Sequence, residues 1–226
     1  MQSRKIVISF SGGADSTTLL YDAIAQRGLE NVQPLYFYYG QRHAPGEREA
    51  IQAISAKLGI YIPELTIELK QFGRSPLTDF STPVPTQAEG KQASTVVPFR
   101  NTMFLVYAAA WATVNGFDDI GLGPTWEDLA EYPDCRPAYF DAMQAALRLA
   151  DRHHHLTLEV PYIDLRKSDV IELGLSLQVP YNLTHTCYNG VWQKPCRECD
   201  ACKEREHSFH ANGMVDPLLG PNEFPK

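Results

Sequence analysis

Lys5-Ile6-Val7-Ile8-Ser9-Phe10-Ser11-Gly12-Gly13-Ala14-Asp15-Ser16 is the stretch on which the fold turns. Residues 5–10 are apolar and β-branched, the composition of a buried strand. Residues 15–27 carry Leu19, Leu20, Ala23 and Ile24 at helical spacing, and Gly28 supplies the stop. Between strand and helix stand two consecutive glycines. They permit positive φ and close approach of backbone, so several N–H groups can converge on one anion. The helix adds its positive dipole end at the same place. Ser11 and Ser16 contribute hydroxyl donors, and Asp15 is placed to cap the helix or to help hold a magnesium ion. No G-x-x-x-x-G-K-[ST] occurs and the spacing fails G-x-G-x-x-G, so neither P-loop phosphoryl transfer nor a dinucleotide site is expected.

Working outward, the alternation continues. Strands are expected at 35–39, 65–69, 120–123 and 156–160, and helices at 47–58, 101–114, 137–150 and 167–177, the third with Pro137 in its first turn. Repeated strand–helix alternation predicts an α/β fold with a parallel sheet covered on both faces. Residues 71–94 form a long polar stretch that reads as a functional or mobile loop. Phe104, Tyr107 and Trp111 read as core, and His153-His154-His155 as a solvated connector. Beyond about Pro180 the composition shifts to Cys, His, Asn and charged residues, so the chain divides into an α/β domain over 1–180 and a small C-terminal module over 181–226.

The composition is globular, with 44% hydrophobic and 21% charged residues among 226. A net charge of −7 gives no bulk attraction to nucleic acid or to anionic membranes. The longest apolar run, 103–114, is too short for a bilayer, which needs about 20 residues. The N-terminal apolar stretch lacks the length of an export signal, so a reducing cytoplasm is the expected compartment. Five cysteines are present, and Cys187, Cys196, Cys199 and Cys202 form C-x8-C-x2-C-x2-C. Clustered thiols in a reduced compartment point to metal rather than disulfides. Four thiolates fill a tetrahedral Zn²⁺ completely and leave no open position, which assigns a structural role; an iron–sulfur cluster is the alternative. His185 stands beside the site. Cys135 is left over, as a nucleophile able to carry a thioimidate or as a thiol lining a pocket.

The string S-G-G-x-D-S after an N-terminal strand resembles the PP-loop of the ATP pyrophosphatases, which adenylate a substrate and release pyrophosphate. Further strings accompany it: Tyr39-Gly40-Gln41-Arg42-His43, Val97-Pro98-Phe99-Arg100-Asn101, Tyr132-Pro133-Asp134-Cys135-Arg136-Pro137 and Thr186-Cys187-Tyr188-Asn189-Gly190. In this order, over about residues 5–210, they resemble the 7-cyano-7-deazaguanine synthase (QueC) family of queuosine biosynthesis. The resemblance implies an adenine nucleotide alpha hydrolase-like, doubly wound parallel five-stranded sheet of order 3-2-1-4-5 with a small C-terminal zinc-binding helical module. It implies an ATP-dependent ligase that converts 7-carboxy-7-deazaguanine and ammonia to the nitrile through adenylated acid and amide.

ATP with Mg²⁺ would lie on Phe10, Ser11, Gly12, Gly13, Ala14, Asp15, Ser16, Thr17, Thr18, Leu19 and Leu20, with Asp15, Ser16 and Arg100 acting in the chemistry. Ligands of such sheets bind beyond the strand carboxyl ends at the switch in strand order, which brings the loop 123–136 opposite the glycine turn. In that loop Glu127, Asp128 and Asp134 are candidates for the guanine-like N–H edge, and Tyr132 or Trp126 for stacking. Arg42, Arg100 and Arg136 are candidates for phosphates or the substrate carboxylate. A homodimer without nucleic-acid or membrane partners is the expected assembly. Three rivals share parts of this pattern: a PP-loop tRNA-modifying enzyme, a relative that joins the deazapurine to another acceptor, and a zinc-stapled binding module.

Overall fold

The computed structural model describes residues 4–73, 75–84, 95–152 and 156–219. Strand β1 (Ile6–Ser9) runs into the glycine turn and then helix α1 (Ala14–Arg27). There follow β2 (Val32–Tyr38), α2 (Ala44–Leu58), β3 (Glu64–Thr66), α3 (Arg100–Asn115), β4 (Asp119–Gly121) and the single turn α4 (Asp128–Glu131). The chain continues through α5 (Pro137–Ala150), β5 (Thr157–Glu159), α6 (Lys167–Ser176) and α7 (Asp200–Ala211). The sheet order is β3-β2-β1-β4-β5. All four pairings are parallel, with Ile6 opposite Val32 and Asp119, Tyr36 opposite Glu64, and Asp119 opposite Thr157. The expected α/β sheet and its order are therefore those of the molecule.

The alternation of side chains along β1 explains the layers. Ile6 and Ile8 point to one face, where Leu19, Leu20, Ile51, Ile54 and Val170 from α1, α2 and α6 cover them. Val7 points to the other, where Leu35, Leu105, Ala108, Phe140 and Leu147 place α3 and α5. Boundaries shift by a few residues from expectation. Pro34, which reads as a strand breaker, sits inside β2 opposite Ile8, so that strand begins at Val32. Leu69 leaves the third strand and opens a 3₁₀ turn over Leu69–Phe72. Helix α7 bears out the helical character expected of the C-terminal module; its bounds, which begin directly after Cys199, were not legible because its polar and charged composition hides its period. Of the loop 71–94, residues 74 and 85–94 lie outside the described residues, as do His153, His154 and His155.

Residues 181–219 pack against the α/β layers. Tyr181 and Phe209 share one buried cluster with Ala14, Ile171 and Val179. The approach is close: a Cβ on Gly174 would fall 1.8 Å from the Tyr181 hydroxyl, so only glycine fits there. Arg205 joins the segments with a bidentate pair to Asp216 (2.7 and 2.9 Å) and bonds to Thr184 Oγ1 (2.6 Å) and the Tyr181 carbonyl (3.0 Å).

Candidate active site

The carboxyl ends of β1, β2 and β4 open into one cleft of about 250 Å³. Its floor is the glycine turn. Gly12 has φ +74°, a conformation that L side chains rarely adopt, and this bends the chain so that Gly13 N-caps α1. Ser11 Oγ and Ser16 Oγ lie 3.1 Å apart, and Ser16 Oγ also accepts from the Ser11 amide at 3.3 Å. The first turn of α1, whose amides have no partners inside the helix, opens into the cleft at Ala14, Asp15 and Ser16. The turn is clamped from outside, because the His185 amide donates to the Gly12 carbonyl at 2.8 Å.

Of the eleven residues expected on ATP, Phe10, Ser11, Gly13, Ala14, Asp15 and Ser16 line the cleft. The others do not. Thr17 and Thr18 hydroxyls donate back to the Gly13 and Ala14 carbonyls (2.7 and 3.0 Å), and Thr18 also bonds Tyr181 OH at 2.7 Å. Leu19 and Leu20 belong to the core under β1.

Charge is concentrated on the strand-four side. The Asp15 carboxyl accepts no hydrogen bond from the described residues, and burial pushes its pKa up to about 6. Lys167, the first residue of α6, contacts Glu204 Oε2 and stands 3.6 Å from Asp128 Oδ1. Burial alone would lower its pKa, but Asp128, Asp15 and Glu204 outweigh this and hold it well above the ordinary value. Arg100 lies between the rings of Tyr132 and Tyr39, 5.7 and 6.0 Å from their centres, and no carboxylate pairs with it among the described residues. A cation placed so is a ready partner for an anionic ligand.

The remaining substrate candidates divide. Asp128 and Tyr132 line the cleft with Arg100. Glu127 accepts from the Lys167 amide at 3.1 Å, and Asp134 from the Asn101 amide at 3.0 Å, so each fixes a helix start. Arg136 Nε donates to the Leu129 carbonyl, and Arg42 donates to the carbonyls of Asp79 and Thr82. Trp126 is exposed and lies under the Arg166 guanidinium. Cys135 does reach the cleft, where Asn101 Nδ2 donates to its sulfur at 3.2 Å. Burial pushes that thiol up to about 12, which favours the pocket thiol over the nucleophile.

Three groups escaped the sequence reading. Lys167 gave no signal beyond a helix start. Glu47 was legible: it lies three, four and seven residues before buried Ala50, Ile51 and Ile54, on the inward face of α2. Gln41 Nε2 and Tyr36 OH donate to its Oε2 at 2.7 and 3.0 Å, and burial pushes its pKa up to about 7. His43, inside the quoted Gln41-Arg42-His43 string, lines the same wall with its Nε2 3.5 Å from Glu47 Oε1; burial lowers its pKa to about 3, so the ring is neutral.

The four cysteines converge as expected, with all Sγ atoms within 4.8 Å of one another and Cys196 and Cys202 at 3.9 Å. A tetrahedron of thiolates with metal–sulfur bonds near 2.3 Å has edges of about 3.8 Å. Amides of Gly190 and Cys196 donate to Cys187 Sγ at 2.8 and 3.3 Å, and that of Cys199 to Cys196 Sγ at 3.4 Å, the pattern that stabilises thiolate ligands. The cluster is therefore compatible with a metal site. Thr186, Tyr188 and Ala201, from the segments it ties, form one wall of the cleft.

Two solved structures carry this fold: a nicotinamide mononucleotide synthetase from Francisella tularensis (TM-score 0.54, 18% identity, covering 94% of this chain and 78% of that one) and a U34-tRNA thiolase from Methanococcus maripaludis (TM-score 0.51, 14% identity, 82% and 60%). At such identities the likeness concerns architecture alone. Sequence relatives are much nearer. A 7-cyano-7-deazaguanine synthase from Syntrophus aciditrophicus is 41% identical over 96% of this chain and 97% of its own length, and one from Kineococcus radiotolerans is 42% identical over 95% and 97%. The family model for queuosine biosynthesis protein QueC matches residues 5–213, from the first residues of the opening strand to just past α7. Glycine turn, cleft and cysteine cluster all fall inside that match, and the chain belongs to the QueC family.

Proposed function

We propose that this protein is a 7-cyano-7-deazaguanine synthase, an ATP-dependent carbon–nitrogen ligase of queuosine biosynthesis. The observation that carries the reading is the cleft itself. It sets an open glycine turn and helix N-terminus against an arginine with no carboxylate partner among the described residues, in a chain that is 41% identical over nearly its full length to an enzyme of that name.

A carboxylate is a poor electrophile, and adenylation supplies a leaving group. One oxygen of 7-carboxy-7-deazaguanine attacks the α-phosphorus of ATP, and pyrophosphate departs. Ammonia adds at the acyl carbon and loses a proton, and AMP leaves the amide. The amide oxygen then attacks a second ATP; loss of its AMP and the last N–H protons leaves the nitrile. The amides of Ala14 to Ser16 and the Ser11 and Ser16 hydroxyls hold phosphate oxygens. Lys167 and Arg100 offset the charge that develops at phosphorus and at the tetrahedral carbon. Asp15 and Asp128 are the carboxylates that would hold a magnesium ion, which neutralises triphosphate charge when bound.

The four-thiolate centre suits one Zn²⁺, since the irons of a multi-iron core would spread the sulfurs farther apart. Its role is structural. The reading places the protein in the cytoplasm as a homodimer. Incubation with 7-carboxy-7-deazaguanine, ammonium and magnesium-ATP, followed by mass spectrometry, is expected to show the nitrile and AMP. Absence of both sinks the reading; an adduct on another acceptor favours the relative that transfers the deazapurine elsewhere.

A further inference from the structure

Glu47 and His43 stand one turn apart at the start of α2, buried on the cleft wall that β2 and α2 build. The carboxylate is held asymmetrically. Gln41 and Tyr36 both donate to Oε2, whereas the nearest described side-chain nitrogen to Oε1 is His43 Nε2 at 3.5 Å, and no described residue forms a hydrogen bond to that oxygen. The wall thus presents a buried carboxylate oxygen with unused capacity. Such a group is costly to bury unless something donates to it.

The pattern selects its ligand. An aminopyrimidinone edge carries a ring N–H beside an exocyclic amino group, two adjacent donors that the free lone pairs of Oε1 can accept together. Adenine offers one donor group flanked by bare ring nitrogens, which would set a lone pair against Oε1. Phe37 and Phe104, stacked at 4.7 Å, give the same wall an aromatic floor. The wall also abuts the phosphate turn: a Cβ on Gly12 would lie 3.4 Å from the Glu47 carbonyl. Meanwhile Glu127 and Asp134 are engaged at helix starts, and Asp128 accepts from the Thr125 amide and faces Lys167.

Resting on the function proposed above, we infer that Glu47 reads the ring N–H and 2-amino edge of the deazapurine acid. The substrate then lies on the strand-two wall, and the acids that follow strand four do not read it.

Calorimetric titration of 7-carboxy-7-deazaguanine, its analogue lacking the 2-amino group, and a non-hydrolysable ATP analogue into the full chain tests this. In Glu47→Gln the acid is expected to bind about 10- to 100-fold more weakly, as loss of a bidentate base contact does. ATP-analogue affinity should stay within about twofold of wild type, and the preference for the amino-bearing acid should collapse. The inference is overturned if E47Q keeps acid affinity and preference, or if it loses the ATP analogue instead, which would make this the adenine wall. It is equally overturned if the wild type shows no preference for the amino group. Should E47Q fail to fold, the preference measured in Glu47→Asp decides: the shortened carboxylate is expected to lose most of it, and a retained preference contradicts the assignment. Wild-type protein that binds the ATP analogue but not the acid would remove the proposed function itself.

Discussion

At the scale of single residues, the cleft holds groups whose ionisation the fold opposes. Burial raises the Glu47 carboxyl from 4.5 to about 7 although Gln41, Tyr36, Arg100 and Arg48 all favour its charge. The folded state therefore binds this proton more tightly than the unfolded chain. Stability from the group is fully present below pH 4.5 and is lost as pH rises through about 7, a difference of about 3 kcal/mol. Glu47→Gln removes the titration. Its unfolding free energy relative to wild type should climb by up to about 3 kcal/mol between pH 4.5 and 8, measured by urea denaturation at each pH. A pH-independent difference would show that Glu47 is ionised at no such cost. A residue that weakens the fold at neutral pH and faces a cleft is better explained by ligand binding than by stability.

At the scale of elements, the two edges of the sheet do different work. The carboxyl edge carries the cleft. The amino edge carries a buried charge network in which Arg4 and Arg27 both donate to Asp119, and Arg27 also donates to Glu159. Asp119 is 1% exposed and Arg27 14%, so removing the acid strands a buried guanidinium. Asp119→Ala should cost about 3 kcal/mol in chemical denaturation while leaving KM for ATP unchanged under conditions where it folds. A raised KM would mean that this edge communicates with the site.

The elements also show what the sequence made legible. Apolar period and glycine stops located all five strands and their helices, and one string, Ser11 to Ser16, located the floor of the cleft. Spacing alone marked the four cysteines that converge, because thiols close in sequence are close in space. What stayed hidden were residues whose roles depend on tertiary neighbours. Lys167 is defined by Asp128 and Glu204 from distant segments. Glu127 and Asp134 look like free loop acids until the helices they start are seen.

At the scale of the whole molecule, the C-terminal segments complete the site. His185, two residues before the first cysteine of the cluster, bonds Gly12, and the cluster lies beside Thr186 and Tyr188 in the cleft wall. Metal removal by a chelator should therefore lower the thermal midpoint and also weaken ATP-analogue binding about fivefold, the worth of roughly one positioned hydrogen bond. Unchanged nucleotide affinity in the metal-free protein would separate module from site. In the proposed reaction an organic acid attacks the α-phosphorus lying on the glycine turn of the cleft. Substrate carrying ¹⁸O in both carboxylate oxygens reports on this step, with AMP read by mass spectrometry after complete turnover. Two AMP per nitrile are expected, each with one ¹⁸O, the first from the acid and the second from the amide; unlabelled AMP would overturn the mechanism.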